Sequence, residues 1–222
     1  MQHELGERPM SPGERSIHVL YTIGHSNLDV DEFVLRLKAN EVGCVADVRS
    51  SPYSERFPLF NRESLAAVLG RHGIGYLFLG DQLGGRPKDP RCYVGGQVDY
   101  RRTAAWPGFQ AGTARLLKGL AAANIAIMCA EKDPLGCHRM ILICRNLRDK
   151  GIAIKHILED GRVEDHRQTE RRLVAERFVT RTLFEPELTF DDLVERAYDQ
   201  QGAAIAYEGG AVEAAPRKGS GG

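Results

Sequence analysis

The chain has 222 residues, of which 42% are hydrophobic, and this length and composition fit one globular domain with a sizeable core. Thirty basic residues balance thirty acidic residues, so only a local basic cleft, and no global charge, would attract nucleic acid. Five cysteines, an odd number without a CxxC pair, do not match the even framework of small secreted disulfide domains, and reduced thiols fit better. Without a signal peptide or a long apolar run, we expect a soluble cytoplasmic protein that makes no membrane contact, and the sequence specifies no oligomeric state.

Polar or glycine-rich ends flank the central part of the chain. Residues 1–16 and 202–222 have little to bury, and we predict disordered tails there. Residues 17–178 are predicted to form an α/β domain, and residues 179–201 a C-terminal helical extension.

Within the domain, short apolar runs alternate with helical patterns. Asp29 with Glu32 resembles a capping box, and Asn61 is a suitable N-cap. The alternation predicts a single α/β domain with a mostly parallel, roughly five-stranded sheet flanked by helices in a Rossmann-like three-layer arrangement. The predicted strands are 18–23, 43–48, 75–79, 124–129 and 152–157, and the predicted helices are 29–40, 62–72, 106–122, 137–150 and 164–178.

Polar segments follow the first four predicted strands, whereas the opposite edge of the sheet has short turns with Gly and charged residues. The polar segments are 24–27, 47–56, 80–86 and 130–139. Ligands of parallel sheets bind beyond the carboxyl ends of the strands. We therefore expect the functional site at this edge.

Cys137 follows Gly136 at the predicted start of a helix. Backbone N–H groups and the helix dipole stabilise a thiolate or a bound phosphate at such a position, so Cys137 is either a nucleophile, part of an anion site or a small buried residue. His138 adjoins it, and Glu131 lies two residues after Cys129, at the end of a strand. We include Glu131 and His138 among the catalytic candidates.

His25 and Asp47 are the other catalytic candidates. His25 lies in the turn after the first strand, where its imidazole could act as an acid or base or make only structural hydrogen bonds. Asp47 ends the second strand and precedes Arg49 by two residues, so it is a general base, an orienting group for His25 or half of a buried ion pair.

Arginines from separate loops share the predicted edge. Guanidinium groups bind phosphate and carboxylate, and neighbouring aromatic rings suit a nucleobase, although scattered surface arginines would give the same pattern. The predicted substrate-binding residues are Arg49, Arg56, Arg86, Arg139, Ser26, Asn27 and Tyr53. An anionic small molecule or nucleic acid is the expected partner.

A zinc site could form from Cys129, Cys137, His138 and His25, because sulfur and nitrogen ligands suit zinc. The spacing of these residues matches no standard zinc pattern, so we predict neither a metal site nor a cofactor. The long segment 80–102 is interpreted as a lid, with disorder as the alternative, and Cys92 within it is expected to be exposed.

Five motifs in order resemble the domain-of-unknown-function 488 family over about residues 18–170. This resemblance implies a compact α/β domain and no established reaction. The motifs are Tyr21-Thr-Ile-Gly-His-Ser-Asn27, Asp47-Val-Arg-Ser-Ser-Pro-Tyr-Ser54, Phe57-Pro-Leu-Phe-Asn61, Leu79-Gly80 with Leu83-Gly-Gly-Arg86, and Cys129-Ala-Glu131 with Cys137-His-Arg139.

The leading functional hypothesis is an enzyme, a hydrolase or lyase, that acts on a phosphate-bearing substrate. Nucleic acid or a nucleotide is the expected substrate, and processing of damaged bases is one form. The alternative is a non-catalytic module that senses small anions or thiol redox state with the same pocket. Sulfur transfer through a persulfide on Cys129 or Cys137 is a weaker option, because no known transfer loop is present.

Overall fold

The computed structural model describes residues 18–178 and 188–209. The predicted tail at 1–16 lies outside the described residues. So do residues 179–187 of the predicted extension and residues 210–222 of the predicted C-terminal tail.

The chain folds as an α/β structure around a six-stranded, mostly parallel sheet, which confirms the predicted fold class. The strand order is β3-β2-β6-β1-β7-β8, and only β8 is antiparallel to its neighbour. The strands are β1 (Val19–Gly24), β2 (Val42–Asp47), β3 (Gly75–Phe78), β6 (Asn124–Cys129), β7 (Ala153–Ile157) and β8 (Val163–Asp165), and β4 (Tyr93–Val94) and β5 (Gln97–Val98) form a separate hairpin.

Most predicted helices are present, with ends shifted by a few residues. Among the described helices, none combines the length and the apolar character needed to cross a membrane. The α-helices and the one π-helix among the described residues are α1 (Val30–Ala39), α2 (Arg62–Arg71), α3 (Gly80–Leu83), α4 (Tyr100–Ala105), α5 (Pro107–Leu120), the π-helix (Arg139–Cys144), α6 (Arg145–Leu147), α7 (His166–Arg177) and α8 (Phe190–Ile205).

Strand β6 lies between β2 and β1 and is buried on both faces. Ile125 and Ile127 pack with α5 and the π-helix, whereas Ala126 and Met128 pack with α1 and α2. This alternation follows from the two-residue period of a strand. The sheet is therefore the middle of three layers, as predicted.

The helix caps differ from the prediction in their partners. The Asp29 side chain accepts from the Asp31 N–H, but the predicted second half of the capping box is absent because Glu32 pairs with Arg36 at 2.8 Å. Asn61 is the N-cap of α2, yet its Oδ1 accepts from the Ser54 N–H at 2.7 Å. The Asn61 side chain thus holds the loop after β2.

The segment predicted to be a lid contains α3, the β4–β5 hairpin and the start of α4. Cys92 was expected to be exposed, and this was wrong, because its side chain is only 1% exposed. The hairpin folds back over it, and the Asp99 N–H donates to the Cys92 carbonyl at 2.8 Å.

Helix α8 belongs to the predicted C-terminal extension and continues to Ile205, beyond the predicted end of that extension. Its buried face packs on α7 and on the π-helix through Val194, Ala197 and Tyr198. After the helix, the backbone of Glu208 forms an antiparallel β-bridge with Gln97 of the hairpin. Residues 202–209, predicted to begin a disordered tail, therefore pack on the domain.

Candidate functional site

A crevice at the carboxyl end of β6 follows from the chain path. The helices that follow β1 and β2 pack on one face of the sheet, and the π-helix that follows β6 packs on the other. The loops after β6 and after its two neighbours therefore diverge, and a crevice opens between them. Residues from all four predicted polar segments line this crevice.

The loops after β1 and β6 are joined backbone to backbone. The His25 N–H donates to the Cys129 carbonyl at 3.0 Å, and the Ser26 N–H donates to the Ala130 carbonyl at 2.9 Å. Gly24 permits this approach, since an added Cβ would overlap the Glu131 carbonyl oxygen. Ser26 has a φ of 41°, an uncommon value that this close docking maintains.

Two adjoining cavities of about 590 and 490 Å³ occupy the crevice, and we call them together the cleft. Arg49, Ser51, Ala130 and Glu131 line both cavities. The remaining lining of the larger cavity is His25, Ser26, Asn27, Tyr53, Ser54, Arg56, Phe57, Lys132 and Glu159, and that of the smaller is Ser50, Gly85, Arg86, Tyr100, Cys129, Gly136, His138, Ile205 and Tyr207.

One cluster contains two cysteine sulfurs, one carboxylate oxygen and one imidazole nitrogen, all within 4.8 Å of one another. Its residues are Cys129, Glu131, Cys137 and His138. Both sulfurs lie against the same carboxylate oxygen, since Glu131 Oε2 is 2.8 Å from Cys129 Sγ and 3.1 Å from Cys137 Sγ. His138 Nδ1 faces the two sulfurs at 3.8 and 3.9 Å. Three side chains of this cluster reach the cleft wall, and Cys137 lies behind them.

Cys137 does not begin a regular helix, which corrects the predicted helix 137–150. It has extended backbone angles, and the π-helix starts two residues later. The Arg139 N–H nevertheless donates to Cys137 Sγ at 3.5 Å, so the sulfur caps the first turn. Although burial opposes the shift, the hydrogen bond with Cys129 and the charge of Arg139 lower the pKa of the Cys137 thiol.

Cys129 shows the opposite shift. Its hydrogen bond with Cys137 and its burial raise the pKa of the Cys129 thiol. The two sulfurs therefore share one negative charge more readily than two.

His138 is held in one orientation by its neighbours. Its Nε2–H donates to the Val48 carbonyl at 3.1 Å, which leaves the Nδ1 lone pair directed at the sulfurs. Gly85 packs on the ring, where an added Cβ would lie 3.1 Å from Nδ1. Although burial opposes it, the Cys137 sulfur raises the pKa of His138.

Arg139 is fully buried and does not line the cleft. Its terminal nitrogens donate to the carbonyls of Glu131 at 2.6 Å and Lys132 at 2.9 Å. Its Nε has no hydrogen-bond partner among the described residues. Arg139 was predicted to bind substrate, but its side chain does not line the cleft. It acts on the cleft indirectly, because it holds the backbone of residues 131–132 in place.

Asp47 and Arg49 form a buried ion pair, which was one of the three interpretations of Asp47 from the sequence. Arg49 contacts the carboxylate through Nε and through NH2 at 2.6 Å, and also donates from NH2 to the Phe60 carbonyl. The Tyr76 hydroxyl donates at 2.7 Å to Oδ2, the carboxylate oxygen that also accepts from Arg49 NH2. Both oxygens of the Asp47 carboxylate accept hydrogen bonds, so neither is free for the predicted role in proton transfer.

His25 lies beside Arg49 at the edge of the cleft. Its ring stacks on Phe60 with centroids 4.5 Å apart, its Nδ1–H donates to the Ser26 carbonyl, and its Nε2 faces Arg49 NH1 at 3.3 Å. Burial and the Arg49 charge lower the pKa of His25 to about 4. The ring is therefore neutral at pH 7 and has both nitrogens engaged.

The remaining predicted binding residues all line the cleft. Arg56 stacks on Phe57 with its guanidinium 5.3 Å from the ring centroid, and Arg86 stacks on Tyr207 at 4.2 Å. Ser26 and Asn27 lie in the loop after β1, and Tyr53, 56% exposed, donates its hydroxyl to Glu63.

Sequence reasoning missed Tyr100 and Tyr207 of the cleft wall. Tyr207 follows α8 in a segment predicted to be a tail, and no local pattern connects it with Arg86. Ser51 was inside a predicted polar segment but was not singled out.

The family described as "Domain of unknown function DUF488" matches residues 29–145, more than half of the chain. This range includes β2 with Asp47 and Arg49 and the whole Cys129–Cys137 segment. No curated protein and no solved structure gives a significant match. The chain belongs to the DUF488 family.

Proposed function

We propose that the protein is an enzyme whose cleft binds a phosphate-bearing substrate, a nucleotide or nucleic acid, and presents it to the Cys129–Glu131–His138 wall. The observation that supports this most directly is a pair of exposed arginines, one lining each cavity of the cleft. Arg56 and Arg86 stack on aromatic rings, and neither forms an ion pair with a carboxylate among the described residues.

The ring partners of these arginines favour a nucleotide over a bare anion. Tyr53, Phe57 and Tyr207 line the same cleft, and Tyr53 and Tyr207 are exposed. Bases stack on such rings, while guanidinium groups bind the adjoining phosphates. The arrangement suits single-stranded or flipped-out nucleotides, whose bases are free to stack.

Glu131 is the group best placed to exchange a proton with a substrate in the cleft. It is the exposed member of the cluster, and it lines both cavities. Its Oε2 already lies within hydrogen-bond distance of two thiols, so a proton can pass between the carboxylate and the sulfurs.

Fluorescence anisotropy with a labelled single-stranded oligonucleotide, at low and at moderate salt, tests the proposal. We expect binding that weakens as salt rises, and a loss of about tenfold in affinity for Arg56→Ala and for Arg86→Ala. Arg115→Ala is the matched control, because Arg115 is also exposed but contacts Gln82 outside the cleft. Competition with nucleoside monophosphates and with inorganic phosphate identifies the part that is bound.

Two results would contradict the proposal. If neither oligonucleotide nor mononucleotide binds at low salt, the cleft is not a nucleotide site. If the Arg115 variant loses as much affinity as the cleft variants, the binding is nonspecific attraction to positive charge.

A thiol redox sensor is a second candidate, favoured by the proximity of the two cysteine sulfurs, which lie within 4.8 Å of each other. Mild peroxide would then oxidise Cys129 and Cys137 to a disulfide, with peroxide reduced to water, and the count of titratable thiols would fall by two. The Cys129→Ser variant would not lose that pair. An unchanged thiol count in the native protein would exclude this function.

A further inference from the structure

The four side chains of the Cys129–Glu131–Cys137–His138 cluster have the chemistry of a metal site. Two sulfurs, one imidazole nitrogen and one carboxylate oxygen lie within 4.8 Å of one another, and three of the side chains are buried. Sulfur with nitrogen is a ligand set for zinc and similar borderline ions, and not for magnesium or calcium. We propose that these four residues bind one divalent borderline metal ion, with zinc as the reference ion.

The distances fit a tetrahedral ion after a small adjustment. Ligand atoms on one zinc ion lie about 3.3–3.8 Å apart, since the zinc–ligand bonds are about 2.0–2.3 Å long. His138 Nδ1 is 3.8 and 3.9 Å from the sulfurs, close to that range. The Glu131 carboxylate is nearer to the sulfurs, at 2.8 and 3.1 Å, as expected when protonated thiols donate to it. Loss of the thiol protons to an entering ion removes those hydrogen bonds and lets the carboxylate move outward.

The surroundings of the cluster resemble the outer shell of a metal site. A ligating histidine usually donates its second ring N–H to a carbonyl or carboxylate, which fixes the tautomer. His138 does this through Nε2 to Val48. The Arg139 N–H donates to Cys137 Sγ, and Gly85 leaves room for the imidazole, since an added Cβ there would lie 3.1 Å from Nδ1.

The charge balance also favours an ion of charge two. Two thiolates and one carboxylate around such an ion leave a single net negative charge. Arg139, fully buried beside the cluster with an unpartnered Nε, supplies the compensating positive charge. A buried guanidinium needs such a partner, because desolvation of an isolated charge is costly.

Glu131 differs from the other three ligands because it is exposed and lines both cavities of the cleft. Catalytic zinc sites keep three firm protein ligands and one exchangeable position. We infer that Cys129, Cys137 and His138 hold the ion and that Glu131 occupies the exchangeable position. His25, which the sequence offered as a zinc ligand, is not one because its Nε2 faces Arg49. This inference does not depend on the proposed function.

Metal titration of the full chain tests the site. Protein stripped with a chelator under reducing conditions is titrated with Zn²⁺ against a chromophoric indicator, and we expect one equivalent to bind with a Kd below about 1 µM. Co²⁺ in place of zinc should give a thiolate-to-cobalt charge-transfer band and the intense visible bands of tetrahedral cobalt. Cys129→Ser and Cys137→Ser should each lower the zinc affinity by at least about 100-fold and weaken the charge-transfer band.

Two further variants keep the test decisive. Cys92→Ser removes an equally buried cysteine outside the cluster and should change neither binding nor spectrum. If a cluster cysteine variant fails to fold, the exposed Glu131→Gln remains: it should retain the fold, bind zinc about tenfold more weakly and alter the visible cobalt bands. Absence of tight binding by the folded protein, equal binding by the cysteine variants, or cobalt spectra without a thiolate band would overturn the proposal.

Oligonucleotide titrations of the stripped and zinc-loaded protein separate the two proposals. Tight zinc binding with no nucleotide binding would leave the metal site and remove the proposed function. Nucleotide binding without zinc binding would do the reverse.

Discussion

At the scale of single residues, solvent distinguishes two ion pairs of nearly identical geometry. Arg49 and Arg91 each bind the aspartate two positions earlier, both with an NH2–carboxylate distance of 2.6 Å. The first pair is buried, with exposed fractions of 6% and 0%, whereas the Arg91 side chain is 78% exposed. The same sequence spacing, Asp-x-Arg, therefore gives one ion pair that is shielded from water, Asp47–Arg49, and one that water screens, Asp89–Arg91.

This comparison predicts different costs for the same substitution. Asp47→Asn leaves a buried guanidinium without its counter-charge and should lower the free energy of unfolding by about 3–5 kcal/mol. Asp89→Asn should lower it far less, because water screens the exposed pair. Urea denaturation of both variants measures the difference, and equal effects would mean that Asp47 is not an essential partner of Arg49.

At the scale of elements, glycine sets how closely the loops of the site can approach. The strand-end loops meet where Gly24 faces the Glu131 carbonyl and Gly80 faces the Arg49 carbonyl, and a Cβ at either position would overlap the oxygen. The cleft exists in this shape because backbones, not side chains, form these contacts.

Gly24→Ala should therefore push the Glu131 segment away from β1. We expect a destabilisation of about 1–3 kcal/mol, as for other overpacked sites, together with weaker binding of any ligand at Glu131. Gly70→Ala is the control, because it lies in α2 with open space around it and should stabilise the helix by up to about 1 kcal/mol. Thermal unfolding of the two variants in parallel checks the opposite signs.

At the scale of the whole molecule, a buried chain of hydrogen bonds connects the sheet with α8. It runs from Thr22 in β1 through His156 at 2.8 Å and His166 at 2.9 Å to the Tyr198 hydroxyl at 3.1 Å, which donates to Glu170. The bonds have a consistent direction when both imidazoles are neutral with hydrogen on Nε2. Helix α8 is thereby tied to the centre of the domain by polar contacts as well as by packing.

Tyr198→Phe tests this connection. It removes the acceptor for the His166 Nε2–H and one donor to Glu170, and should lower the free energy of unfolding by about 1–3 kcal/mol. Tyr53→Phe removes a tyrosine–carboxylate hydrogen bond at the surface and should have a far smaller effect, because water replaces the lost partner. If the two substitutions cost the same in chemical denaturation, the chain does not stabilise the docked helix.

The buried histidine of this hydrogen-bonded series, His166, predicts that acid lowers the stability of the fold. Burial and the charge of Arg148 lower the pKa of His166 to about 4. In the unfolded chain, His166 has the ordinary histidine pKa of about 6.5. Between about pH 6.5 and about pH 4 the unfolded state therefore binds a proton that the folded state does not, and stability present above about pH 6.5 is lost as the pH falls. The loss should approach about 1.4 kcal/mol per pH unit for this histidine.

Urea denaturation at about pH 7 and about pH 5 measures this slope. The His166→Gln variant should lose less stability over that interval than the native protein, whatever its stability at neutral pH. An identical slope would show that His166 does not carry the acid response.

Much of this protein was predictable from local sequence. Alternating apolar runs and helical patterns predicted the mostly parallel α/β sheet, because strand and helix periods differ and each buries its own apolar face. The rule that ligands bind beyond strand carboxyl ends brought His25, Arg49, Glu131 and His138 to one edge. The exposed arginines of the cleft were found for the same reason.

What the tertiary structure alone decided concerns which groups meet and how far they are buried. The sequence does not indicate that Glu131, and not His25, completes the cysteine–histidine cluster, because that choice depends on Arg49 occupying the His25 nitrogen. Nor does it indicate that Arg139 is buried behind the cluster or that Tyr207 returns to cover the cleft. These contacts join residues far apart in the chain, and local patterns report the period of an element but not the partner that packs against it.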